Sequence, residues 1–192
     1  MTRISFRHFL LAASTALVAG VALTCGDPLG LPPVQRANEI DTTTLFALQG
    51  TDIAAPSGFD IVNASRSRTD LAQPFDMAFD IDADDRALLF PAAALGLVTE
   101  AALQETNQAF GAINRAPTDG YQSDSALVLR QGLVFLARSR AASQFCSFLG
   151  AIPRFGKFRV LAIDQTARTV TLELLVNVNC GYRSLDTGEV ND

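Results

Sequence analysis

The chain has one histidine and no tryptophan in 192 residues. That histidine, His8, sits in an N-terminal segment that reads as an export signal, so the remainder is histidine-free. Its absence excludes Ser-His-Asp and Cys-His catalysis, His-ligated zinc and His-ligated haem. Lysine is nearly as scarce, with Lys157 alone among otherwise arginine-borne positive charge; this is a bias of composition with no functional reading. No Gly-x-Ser-x-Gly, P-loop or Gly-x-Gly-x-x-Gly string occurs, so esterase and nucleotide readings have no starting point. The uncharged run at 9–23 has 15 residues, fewer than the roughly 20 that cross a bilayer as a helix.

What is present begins with that run. Arg3 and Arg7 precede it, and Ala22-Leu23-Thr24-Cys25 follows. A basic start, an apolar stretch of this length and small residues at its end form an export signal. The two arginines are not adjacent, so a twin-arginine route is not suggested. Two cleavages fit. One is an ordinary cut after a small residue such as Ala22. The other treats 22–25 as a lipobox with Cys25 as the lipid-attachment residue, although Leu23 stands two residues before the cysteine and Thr24 is larger than Gly or Ala. The expected organisation is a signal at 1–24, a lipid-attached tether at 25–41 rich in Gly and Pro, one β-rich domain at 42–183, and a polar flexible tail at 184–192.

Cysteine arithmetic favours the lipid. The three cysteines are Cys25, Cys146 and Cys180. An exported chain meets conditions in which disulfides persist. A Cys146–Cys180 bridge closes a loop of about 35 residues, worth about 3–4 kcal/mol in the chain-entropy model. It leaves Cys25 over, and acylation accounts for the odd one. Membrane attachment through lipidated Cys25, as with palmitate, is therefore the expected partner. Removing 1–24, which holds Arg3 and Arg7 and no acid, leaves 13 basic and 20 acidic residues, net −7. That charge argues against nucleic acid and against electrostatic binding to anionic lipid.

The patterning is mostly β. Strands are expected at 42–49 and 58–65, with a hairpin over 76–90. Further strands at 121–129 and 133–137 flank a turn at Arg130-Gln131-Gly132. The clearest pair lies in 155–178. There Val170, Leu172, Leu174, Val176 and Val178 alternate with a polar series broken only by Leu175, which is period 2 with one buried face. Cys180 falls on the apolar series, so it is expected to point inward. Ile81-Asp82-Ala83-Asp84-Asp85-Arg86 and Ile163-Asp164-Gln165-Thr166-Ala167-Arg168 share the form Ile-Asp-x-x-x-Arg and are read as hairpin loops of one design, because Asp favours turns by bonding the backbone two residues on. A short helix is expected near 107–114, while 92–104 fits no single pattern. The expected fold class is all-β: an antiparallel sandwich or open barrel with one short helix.

Candidate sites are few. Asp80-x-Asp82-x-Asp84 matches the first ligand positions of an EF-hand loop. Asp85 then stands where Gly is required and Pro91 where Glu is, so the acidic run from Asp76 to Asp85 is read as a solvated hairpin and the three aspartates only as a weak Ca²⁺ candidate. Arg66-Ser67-Arg68 and Arg138-Ser139-Arg140 are read as surface counter-charges. Paired carboxylates could serve a hydrolase, but no cluster has aromatic platforms beside it.

Three strings carry a resemblance: Cys25-Gly26-Asp27-Pro28, Phe110-Gly111-Ala112-Ile113-Asn114-Arg115-Ala116-Pro117 leading to Gly120-Tyr121, and Asn177-Val178-Asn179-Cys180-Gly181-Tyr182-Arg183-Ser184-Leu185. Together they resemble uncharacterised small bacterial lipoproteins of the Gemmatimonadetes type, which implies an anchored exported domain and imports no catalytic residue. Phe135-Leu136-Ala137-Arg138-Ser139, followed by Phe155-Gly156-Lys157-Phe158-Arg159-Val160, is similar to HmuY-like haem-binding lipoproteins. That family implies a β-rich anchored fold whose haem is held by histidines, which this domain does not have. The expected function is a non-catalytic structural or binding role in the bacterial cell envelope, at the outer membrane or periplasmic face, with no cofactor. The alternatives are a carrier of a haem-like or hydrophobic ligand, then a carboxylate hydrolase; a soluble periplasmic or secreted form is the alternative location.

Overall fold

The computed structural model describes residues 34, 36–142, 152–188 and 190. All of them fall in one compact unit, Pro33–Asp192. In chain order the strands are β1 (Asp41–Phe46), β2 (Gly58–Asp60), β3 (Ser65–Ser67), β4 (Met77–Ile81), β5 (Ala87–Pro91), β6 (Ala102–Thr106), β7 (Leu127–Val128), β8 (Val134–Arg138), β9 (Phe155–Asp164) and β10 (Thr169–Asn177). They form two five-stranded antiparallel sheets, ordered β1-β10-β9-β8-β6 and β3-β2-β4-β5-β7. The expected all-β sandwich is the observed architecture; neither sheet closes into a barrel.

The inner faces share one core. Phe158 of the first sheet is fully buried, stacks on Phe135 beside it at 5.1 Å, and meets Phe59 of the second sheet edge-on at 5.7 Å. Aromatic pairs favour such offset and edge-to-face placements. Met77, Phe79, Ile81 and Leu89 complete the layer from the second sheet, and Val170, Leu172, Leu174 and Val176 from the first. The alternation read in 170–176 is therefore the inward series.

A bulge keeps β9 in step with it. Leu172 opposes Val160 while Thr171 opposes Ala162, which leaves Leu161 as the extra residue. Val160 and Ile163 can then both face the core although three positions separate them. Gly156 serves the same strand: a Cβ there would come within 2.9 Å of the Phe158 ring and 3.0 Å of Val176.

Leu175, the exception in the polar series, has a physical reason. The outer face of the first sheet is also covered, by a second cluster of Leu175 with Phe110, Ile113, Val134, Phe155 and Leu185. The lone lysine closes this cover. Lys157 is buried, donates to the Ile113 carbonyl at 3.0 Å and lies 4.8 Å from the centre of the Phe110 ring, and burial lowers its pKa.

Four expectations change here. The short helix is realised only as a 3₁₀ turn, Phe110–Ala112, with a second at Ala92–Leu95 inside the unassigned stretch. The turn at Arg130-Gln131-Gly132 does not join a hairpin: β7 pairs with β5 in one sheet and β8 with β6 and β9 in the other. Gly132, at φ +83°, hands the chain across and donates to the Val160 carbonyl at 2.9 Å. Much of the tail is docked, with Ser184 and Leu185 buried and Leu185 donating to Asn114 O at 2.7 Å. The domain also begins before 42, because Asn38 is buried and exchanges two 2.9 Å backbone bonds with Gly188.

Phe158→Ala removes the ring that both sheets share. We expect a loss of about 3–5 kcal/mol, read from the urea midpoint; a loss below about 1 kcal/mol would contradict the central placement of Phe158.

Candidate functional site

Of the sequence-derived site residues, Cys25 and Cys146 lie outside the described residues. Cys180 does not continue the strand alternation, because β10 ends at Asn177. It sits half-buried in the following turn, in a small cluster with Val62 and Ala142. Asp80, Asp82 and Asp84 do not converge, and among the described residues no three His, Cys, Asp or Glu side chains gather as a metal set.

Each of these aspartates has its own local task. Asp82 Oδ1 accepts from the backbone of Asp84 and of Arg86, both at 2.9 Å, and Oδ2 pairs with Arg86 at 2.6 Å. Asp164 caps its loop likewise, accepting from Thr166 and Ala167 at 2.9 and 2.8 Å. The shared loop design therefore holds for the aspartate. It fails for the arginine: Arg168 turns away from its own loop and donates to Gln49 O at 2.8 Å and Ile81 O at 2.5 Å. Asp80 was expected on a solvent face and is instead buried, accepting from Ile81 N at 2.8 Å and Gln49 N at 3.2 Å. The loop after β1 crosses from one sheet to the other at this point, with Ala47 donating to Arg168 O and Leu48 to Phe79 O.

The opposite end holds a buried ionic junction. Asp60 ends β2, Asp76 precedes β4, and Arg140 lies just past β8. Arg140 donates from its backbone to Asp76 Oδ1 at 2.7 Å, and its guanidinium reaches Asp76 at 2.9 Å and Asp60 at 3.0 Å. Asp76 also accepts from Ile61 N at 2.8 Å, and its side chain is wholly enclosed. Burial outweighs these bonds and holds the Asp76 carboxyl above the ordinary aspartate value. Both carboxylates are occupied by partners from the protein itself, so the pair acts as a joint between sheets. Neither Asp76 within the acidic run nor Arg140 within its basic pair is the solvated charge that the sequence suggested; Arg68, paired with Asp70 at 2.6 Å at the surface, is.

The open space lies on one flank. β1 and β3 are the outer strands of their sheets on the same side, and a cleft of about 710 Å³ lies beside them. Arg36, Glu39, Asn63, Leu174, Val176 and Val178 are among the residues that line it. A further hollow of about 410 Å³ follows β1 past Thr43 to Ser65 and Arg66 of β3, sharing Asp41, Ala64 and Leu174 with the first. The result is a groove lined more by polar than by apolar atoms and bearing both signs of charge, with the nearly buried core residues Leu174 and Val176 behind it. An edge strand presents a row of backbone donors and acceptors on its outer side, which suits an extended polypeptide laid alongside. Sequence patterning located β1 but could not show that it is an edge.

Comparison with family models, with curated proteins and with solved structures gives no match.

Asp76→Ala leaves Arg140 and two backbone donors without their acceptor. We expect a loss of about 3–5 kcal/mol, measured by urea unfolding at neutral pH. The pH dependence has a definite sign. Because the folded-state pKa is raised, Asp76's contribution is complete below its unfolded value and is lost as pH rises through the folded one. The stability of wild type relative to Asp76→Asn should therefore fall with rising pH from about 4 upward; a rise would refute the assignment.

Proposed function

We propose that this is an exported, lipid-anchored protein of the bacterial cell envelope whose role is to bind, without catalysis, through the groove between β1 and β3. The observation that carries the reading is that groove, open on the flank where two edge strands end their sheets. Its open strand edges would take the backbone of an extended segment, and Arg36, Glu39 and Arg66 in its lining would set register. A carrier of haem or a hydrophobic ligand needs an enclosed apolar pocket, whereas the sandwich interior is filled by Phe59, Phe135 and Phe158. The buried Asp60–Asp76 pair is tied up by Arg140, which weighs against carboxylate hydrolysis.

The anchor and the staple belong to the same proposal. The export signal, the Cys25 lipobox and the resemblance to small bacterial lipoproteins support attachment at Cys25. For the Cys146–Cys180 bridge, the support is that Cys180 shares a cluster with Ala142, four residues before Cys146 and so within about 14 Å of chain reach.

Selection from a random peptide library against the purified domain tests the groove. Recovered peptides should lose at least tenfold in affinity on Arg66→Glu or Asn63→Trp; peptides indifferent to both changes would place binding elsewhere. Radiolabelled palmitate should enter the wild type and not Cys25→Ala, and labelling of neither ends the lipoprotein reading. Non-reducing peptide mapping should join Cys146 to Cys180, and two free thiols would remove the staple.

A further inference from the structure

Strand registers fix which loops share an end of the sandwich. β1 opens with Asp41 opposite Leu174, and β10 closes with Asn177 opposite Phe155, which also opposes Arg138 at the end of β8. Arg140 crosses from there to Asp76, just before Met77, and Met77 opposes Pro91 at the end of β5. The chain entering β1 and the 3₁₀ turn Ala92–Leu95 therefore lie at the same end.

That turn carries an apolar tip. Leu95, Leu97 and Val98 are 38%, 46% and 108% exposed, and Ile40, at the same end, is 50% exposed. The tip is a formed structure: Gly96, at φ +85°, donates to Ala93 O at 2.9 Å, Leu97 donates to Ala92 O at 3.2 Å, and Ala92 beneath is fully buried. Residues 91–99 carry no charge in a chain with 18% charged residues.

We infer that this tip enters the apolar layer of the phospholipid membrane that holds the chain, an inference resting on the reading of Cys25 as the anchor. Val34 follows Cys25 by nine positions, a reach of at most about 30 Å, so the entry end stays close to the bilayer. A single loop tip is far smaller than the roughly 800 Å² per partner of a stable protein interface, and it needs no charge to meet lipid. Acylation at Cys25 holds the chain at the surface without orienting the domain; the tip would face the entry end of the domain toward the membrane.

The test uses the full chain on phosphatidylcholine vesicles containing bromine-labelled lipid, with bimane attached at Val98→Cys or at Ile53→Cys. Ile53 is 77% exposed in the loop that joins β1 to β2 at the opposite end, and so serves as the control. We expect quenching several-fold stronger at position 98, reduced toward the control by Leu97→Asp. Equal quenching at both positions in protein that floats with the vesicles overturns the inference and leaves the anchor intact. Flotation reports the anchor separately. If the chain is not acylated, the same pair of labels is read on protein held to a nickel-chelating lipid by a histidine tag replacing residues 1–24. Preferential quenching at 98 there sustains the tip, and equal quenching sinks it.

Discussion

Two arginines of one sheet close both ends of a single strand of the other. β4 is the middle strand of its sheet and is buried along its whole length. Arg140 holds Asp76 before its start, and Arg168 holds the Ile81 carbonyl at its end, 3.7 Å from Asp80. The apolar core supplies most of the driving force, but apolar packing alone tolerates sliding of one sheet over the other. Charged groups removed from water lose heavily when their partners are displaced, so the two joints fix the relative position of the sheets. The Phe59–Phe158 contact across the interior then has one geometry available.

The parts of the fold legible in the sequence are those governed by near neighbours. The hairpins β4–β5 and β9–β10 follow from alternation and from aspartates that cap their own loops within four residues. The parts that were not legible depend on distant partners. Asp82 and Asp80 look alike in sequence, yet one is bound within its loop and the other lies beneath a segment 31 residues away. Arg86 and Arg168 occupy equivalent places in a repeated string and go to different partners. The turn at Gly132 has the composition of a hairpin, but β8 finds its neighbours in the other sheet. The groove is a gap between edges, and no local pattern marks which strand of a sheet will be left unpaired.

The two surfaces of interest divide the molecule by chemistry. The groove combines charged residues of both signs with open strand edges. The tip at 95–98 is short, uncharged and apolar, and selects only against water.

The pairing of Asn38 with Gly188 has a mechanical meaning. Arg36 and Asn179 exchange bonds of 3.2 and 2.8 Å, Asn38 and Gly188 exchange two at 2.9 Å, and the Asn38 side chain spans Ser184 O and Asp186 O. The incoming and outgoing segments are thus clasped to each other just outside β1 and β10, which are themselves adjacent. A pull on the N-terminal side of Arg36 first strains this clasp, and its bonds must peel before tension reaches the β1–β10 ladder. The clasp therefore works as a strain relief: tension along the chain is taken up at the margin of the domain while the sandwich keeps its shape.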